Sequence, residues 1–434
     1  MIAEIIEALR YIINRMKNEV IRERPEVDLL EFIQSGEDDD GVSILKSLNS
    51  RILHVIPWNK LRNNYSLAYT VIDGSSRLIR GRGVNLGVAS VVIFLPHNNI
   101  IIDFPPYFTR LTHSRIYEKF NLTPFIGLQL RIRGNISALL RDVYLNNAIR
   151  IKSYNDVDFY DSEYNVFQMV DEIRFSLETA ALKFIAELVK DGQMFSSIVI
   201  IDGPVYPTPR VCFRKDDPPY VKYKMAYKRL IMERINVVRE LESHGIGVVG
   251  IVKRLSDSYK LYRNAEINEL FSKIFGFKGR LEKVPDDWII NEISNKLKLH
   301  KLRFPLCFGP FSLEIFDKNF NALFSPKKAP EKIMFYAHIP YNPFVSHASI
   351  VRIEMLKKTF EMYPNVVDLI IATTFDPKRG IPASLSITDR LSRIGSAKLF
   401  LELSSILEQY MILPYETKLD IDQTKRELEE LLGF

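Results

Sequence analysis

Cysteine is nearly absent from this sequence. Cys212 and Cys307 are the only two in 434 residues, far apart and without a histidine at ligand spacing, which excludes a zinc finger and a disulfide framework. Long apolar runs are missing too. None reaches the roughly 18 residues that a bilayer span needs, and the first stretch, MIAEIIEALRYIINRMKNEV, carries acids inside its apolar pattern, unlike a signal peptide or an anchor. Repeats and low-complexity segments are lacking as well. These absences point to a cytoplasmic protein without a membrane partner.

What is present is the composition of a globular chain, with 47% hydrophobic and 26% charged residues. The net charge is +6, and its placement matters more than its size. Between Arg210 and Arg263 there are 13 Lys and Arg against 6 Asp and Glu, which leaves the rest of the chain near neutral. A basic segment of this kind suits a polyanion partner, and a solvated helix face is its plainer reading.

Residues 1–20 carry an amphipathic helical pattern, and Glu37 to Asp40 read as an exposed acidic loop. Ser66 to Asp103 then reads as an antiparallel meander, with strands up to Val71, from Gly83 to Leu95 and from Ile100 to Asp103, the last two joined by a turn at His97-Asn98-Asn99. The first strand ends in Asp73-Gly74, which either presents a carboxylate or simply makes a hairpin turn. Residues 105–161 are irregular, with a helix expected near Ile136 to Ala148.

A long helix follows, EYNVFQMVDEIRFSLETAALKFIAELVKDG, capped by Gly192. Its Glu178 lies on the border of the apolar stripe, so it either meets a cation or a metal, or snorkels at the margin. SIVIIDGP, residues 197–204, has the continuous apolar run of a parallel strand covered on both faces, and Asp202 stands at its C-terminal end, where α/β sheets place ligands.

A second long helix spans Tyr220 to His244. Lys222, Lys224, Lys228, Arg229, Arg234 and Arg239 give it a basic face interleaved with Tyr220, Tyr223 and Tyr227, a combination that can stack bases and neutralise phosphates, although tyrosine at this spacing is commonly ordinary packing. The strand Gly247 to Val252 ends in Lys253-Arg254. Residues 255–330 read as a peripheral, mainly helical insertion. Strands are expected at Lys332–Ile339, Ile350–Met355 and Val366–Thr373, then a helix over Ser384–Tyr410 bent at Gly395, and a short charged tail helix from Asp420.

Three carboxylates, Asp73, Glu178 and Asp202, thus come from two strand ends and a helix. Oxygen donors converging on one sheet edge suit one or two hard divalent cations, and such ions activate water and stabilise the leaving oxygen of a phosphodiester. A meander, a helix and an acid-bearing strand are also the element order of a ribonuclease-H-like core.

The ordered pieces VIDGSSR, RFSLETA, IVIIDGP, GVVGIVKR, VRIEM and GIPASLSITDRL together resemble the NurA nuclease family over roughly residues 65–410. The resemblance implies an α/β fold with a ribonuclease-H-like, Argonaute-related core, a central mixed sheet and helical insertions. The nuclease domain would cover residues 65–410, between an N-terminal segment, 1–64, and a tail helix, 411–434. The resemblance also implies a homodimer that uses manganese, or magnesium, to degrade DNA from 5′ ends and to cut single strands in end resection, working with a HerA-type hexameric translocase. Carried over residue by residue, the metal ligands are Asp73, Glu178 and Asp202, while Lys253 matches a basic position suited to a phosphate. Arg254, Lys224, Lys228 and Arg229 are the further candidates for contact with DNA. Arg352 and Glu354 match an Arg-x-Glu pair.

The sequence departs from the family near its C-terminus. Ile381 stands where the family has an active-site Tyr, and Asp389 where it has a His. Asp389 can still serve the site as a ligand, but an ionised carboxylate cannot donate a proton as imidazolium does. His338 and His347 are nearby in sequence. Beside the active nuclease stands a second expectation, a NurA-like adaptor that binds DNA or the translocase without turnover. A third is an unrelated α/β protein whose Asp-Gly turns are coincidental.

Overall fold

The structure is a computed structural model. It describes residues 43–48, 52–56, 68–81, 84–108, 125–130, 157–160, 166–194, 196–207, 218–255, 258–276, 281–297, 305–315, 321, 328–340, 348–376, 380–410 and 413–433. The helices expected over 1–20 and 136–148, and the acidic run 37–40, lie outside the described residues.

In chain order the strands are β1 (Ser43–Ser47), β2 (Leu53–Val55), β3 (Tyr69–Gly81), β4 (Val84–Leu95), β5 (Ile100–Phe104), β6 (Ile126–Leu130), β7 (Val157–Tyr160), β8 (Ile198–Asp202), β9 (Gly247–Val252), β10 (Leu306–Ile315), β11 (Lys332–Pro340), β12 (Ala348–Leu356), β13 (Phe375–Asp376) and β14 (Ile381–Pro382). The α-helices are α1 (Val166–Lys190), α2 (Pro218–Ser243), α3 (Ala265–Phe275), α4 (Asp286–Lys296), α5 (Lys357–Met362), α6 (Val366–Thr374), α7 (Ala383–Tyr410) and α8 (Tyr415–Leu432).

One twelve-stranded mixed sheet runs through the molecule in the order β1-β10-β11-β12-β9-β8-β3-β4-β6-β7, with β2 beside β10 and β5 beside β4. Its centre, β3, β8 and β9, is parallel, and antiparallel pairs flank it on both sides. The apolar run of β8 is buried on both faces, as a central strand requires. The alternation of side chains sorts the two cores. Ile72, Ile201 and Val248 join Leu177, Ala181 and Ile185 of α1 in one, while Val71, Ile200 and Ile251 join Leu385 of α7 in the other.

Several local expectations change. Asp73-Gly74 is not a turn: β3 continues through it to Gly81, pairing Asp73 with Val92 and Gly74 with Val91, because the partner strand is long enough to carry the ladder past the dipeptide. The meander itself stands, and Asn99 takes the left-handed conformation (φ 51°) at its second turn. Residues 366–374 form a helix rather than a strand; a short, mostly apolar run fits either, and here Val366, Val367, Ile370 and Ile371 bury one helical stripe in the core while Asp368 and Leu369 stay half-buried. Residues 306–315 are an interior strand of the main sheet, so the helical reading of that region holds for α3 and α4 only. Gly395 does not bend α7, which is continuous; a Cβ there would come within 3.1 Å of Ser90, so the glycine lets the helix settle on β4. The tail helix starts at Tyr415, five residues earlier than expected.

Candidate metal centre

Parallel pairing places the first two carboxylates. Ile72 registers with Ile201, so Asp73 and Asp202 follow side by side, on the face already occupied by Val71 and Ile200. Asp202 registers in turn with Ile251, and Lys253, two residues further along, shares that face. Helix α7 lies across it. Leu385, Asp389, Ser392 and Ser396 recur at helical spacing and meet β3, with Ser392 Oγ donating to Asp73 Oδ2 at 2.9 Å and the Ser396 and Ser75 hydroxyls 2.9 Å apart.

Asp73, Asp202 and Asp389 each offer a carboxylate oxygen, and the three atoms lie within 4.8 Å of one another. Lys253 Nζ sits 2.6 Å from Asp202 Oδ2 and 3.3 Å from Asp389 Oδ1. Asp73 is 3% exposed, and its carboxyl is held well above the ordinary range. Burial is the main cause, followed by Asp202; Lys253 opposes the shift, while Asp389 and then Glu178 add to it. Burial disfavours the charge on Lys253, yet Asp202, Asp389 and Asp73 outweigh it and raise its pKa.

Glu178 is elsewhere. It packs over Gly74, on the face of β3 opposite to that of Asp73; a Cβ on Gly74 would lie 2.8 Å from its Oε1. Arg174 Nη1 donates to Glu178 Oε1 at 3.1 Å, and Arg234 Nη2 to its Oε2 at 3.1 Å. The buried carboxylate therefore has cations as partners, in a clamp between α1 and α2. Arg234 is fully buried, stacked 4.1 Å over the Phe175 ring, so it is not part of an exposed basic face. The structure thus brings together Asp73, Asp202, Asp389 and Lys253, and puts Glu178 across the sheet from them.

The other expected residues fall as follows. Arg254 is exposed immediately beyond Lys253. Lys224, Lys228 and Arg229 lie on α2, and their side chains are outside the described residues. Ile381 is half-buried against the α7-side core, where it has no polar group to offer. His338 is buried on β11, with β12 and β9 between it and the Asp202 strand, and His347 lies outside the described residues.

The Arg-x-Glu pair supports the centre from the sheet's other face. Glu354 Oε1 accepts from the Val205 amide at 2.8 Å and from Lys332 Nζ at 3.2 Å, and Lys332 also donates to the Tyr206 carbonyl. These contacts pin the chain just after Asp202. Gly250 makes room for it, since a Cβ there would be 2.5 Å from the Gly203 carbonyl. Arg352 Nη1 donates to Ser258 Oγ at 2.6 Å, whose hydroxyl donates in turn to Asp286. Nothing in the spacing of Ser392 or Lys332 marks them in the sequence, and Arg234 reads there as part of a basic face, because each acts through tertiary contacts.

The NurA domain family model matches residues 67–394. Among solved structures, the crystal structure of the NurA nuclease from Sulfolobus solfataricus is 13% identical, with 82% of this chain and 90% of that chain covered at a TM-score of 0.36. A crystal structure of NurA with manganese is 12% identical, covering 93% and 97% at 0.32, and one of NurA bound to dAMP and manganese is 12% identical, covering 75% and 84% at 0.29. No curated protein matches. The family assignment rests on the domain match, which takes in most of the chain and spans every residue of the three-aspartate centre: the protein belongs to the NurA family of nucleases, hydrolases of DNA phosphodiester bonds.

Proposed function

We propose that this protein is a divalent-metal-dependent deoxyribonuclease whose metal is held by Asp73, Asp202 and Asp389. The observation that carries the reading is the convergence of three carboxylate oxygens within 4.8 Å. The donor set fits the group: it is all oxygen, which suits Mn2+ or Mg2+ over softer ions. When bound, such an ion supplies an activated water and neutralises charge on the phosphoryl oxygens. The chain's own residues do the rest. Ser392 orients the Asp73 carboxylate, Glu354 and Lys332 hold the strand end that carries Asp202, and Lys253 and Arg254 offer positive charge to a phosphate.

Glu178, assigned to the metal by the residue pattern and by family resemblance alike, takes a positioning role in this reading, since two arginines already engage it. Manganese is the favoured ion because two of the NurA crystal structures above carry it. Family membership likewise supports single-stranded DNA or DNA ends as substrate, 5′-to-3′ and single-strand cutting in end resection, homodimerisation and a HerA-type hexameric partner. It also supports a ribonuclease-H-like core within a nuclease domain at 65–410, flanked by segments 1–64 and 411–434. Lys224, Lys228 and Arg229 on α2 would extend the DNA path.

Cleavage of a 5′-labelled single-stranded oligonucleotide with Mn2+ tests the reading. Wild type should cut it and Asp202→Ala should not; equal cleavage by the two would remove Asp202 from the centre.

A further inference from the structure

We propose that Lys253 is the resident counter-cation of the metal-free centre, and that a divalent ion must displace its ammonium in order to bind. The inference rests on the three-aspartate reading above and adds a competitor to it.

Three aspartates brought together without neutralisation are costly, the more so because Asp73 is almost fully buried. Among the described residues, the neighbouring cations are committed elsewhere. Arg174 and Arg234 bind Glu178 on the opposite face of β3. Arg393 approaches Asp389 to 3.9 Å, but its Nε donates to Glu427 of α8 at 3.1 Å. Lys253 is the cation that bridges the group, reaching Asp202 from β8 and Asp389 from α7 at once.

Its ammonium thus engages two of the three carboxylates that would hold a divalent ion, and like charge sets the two cations in competition for them. A lysine suits this use: it is a compact point charge on a flexible stem, able to swing away, where an arginine fork would hold a carboxylate bidentately. Lys253 therefore keeps the acids assembled before the metal arrives, and it weakens metal binding in doing so. By linkage, whatever draws the ammonium away tightens the metal.

The test is calorimetric titration of Mn2+ into metal-stripped wild type, Lys253→Met and Lys253→Arg, at one pH and ionic strength. Lys253→Met should lower the half-saturating Mn2+ concentration about tenfold or more, since a unit charge at this range has been removed. In EDTA the same variant should melt below wild type. Lys253→Arg, which keeps the charge and can be read even if the Met variant folds poorly, should bind Mn2+ no more tightly than wild type. An unchanged or higher half-saturation in Lys253→Met, or tightening as large in Lys253→Arg, overturns the inference while leaving the metal centre in place. Absence of Mn2+ binding by wild type removes the metal reading itself, and this inference with it.

Discussion

The Ser392 hydroxyl on α7 donates to Asp73 Oδ2 on β3 at 2.9 Å, while the Ser392 carbonyl accepts from Ser90 Oγ on β4 at 2.6 Å. One residue thus joins a helix to two strands at the buried carboxylate. Ser392→Ala removes a hydrogen bond from an almost fully buried carboxyl group. The expected cost is about 1–2 kcal/mol of stability, read by urea unfolding, with a several-fold higher Mn2+ requirement. Unchanged values for both would mean that Asp73 needs no orientation by α7.

Asp73 also sets a pH dependence. Its folded carboxyl is raised above the unfolded value, chiefly by burial and by Asp202, so in the window between the two values the native state binds more protons. Stability of the metal-free protein then falls as pH rises through that window. Asp73→Asn abolishes this contribution. In EDTA, its melting temperature should decline less than that of wild type from acid to neutral pH and lie above it at neutrality. Glu242 and Asp286 are raised by burial as well, but both proteins carry them. Parallel curves would contradict the assignment.

Glu178 and the metal centre separate by stability. Glu178→Ala leaves Arg234 buried without its carboxylate, which should cost about 3–5 kcal/mol in EDTA and in Mn2+ alike. Asp202→Ala relieves repulsion with Asp73 while removing the ion pair with Lys253, so its cost in EDTA should be small beside that of Glu178→Ala. A mild Glu178→Ala that loses only the Mn2+-dependent stabilisation would return Glu178 to the ligand set.

Gly74 explains why that clamp forms. Gly74→Ala should cost about 1–3 kcal/mol by overpacking against Glu178. In a Glu178→Ala background the cost should shrink, and a double-mutant cycle measures the coupling. Additive costs would show that Glu178 does not press on β3.

Much of this was legible in the residues themselves. The β3-β4-β5 meander, the covered strand β8 and the long helices α1, α2 and α7 follow from periodicity, and Asp73 and Asp202 are marked by their places on apolar strands. Glu178 shows where local pattern stops. Its border position on α1 correctly signals a need for a partner, but which face of the sheet that helix covers is decided by tertiary packing, and of its two partners only Arg174 is local, while Arg234 is 56 residues away. Asp389 sits in an ordinary amphipathic stretch, and only the crossing of α7 over β3 brings it to the centre. The run Val366–Thr373 reads as a strand and folds as a helix because so short and mostly apolar a stretch carries too little periodicity to separate the two.

The proposed three-aspartate centre depends most on Asp389, its third carboxylate. The most direct measurement is Mn2+ affinity, together with cleavage of a single-stranded oligonucleotide, for wild type and Asp389→Ala. The three-aspartate centre predicts at least tenfold weaker Mn2+ binding and a loss of cleavage of about a hundredfold or more, as expected when a ligand oxygen and its transition-state contribution are both removed. Wild-type affinity and cleavage in Asp389→Ala would contradict it.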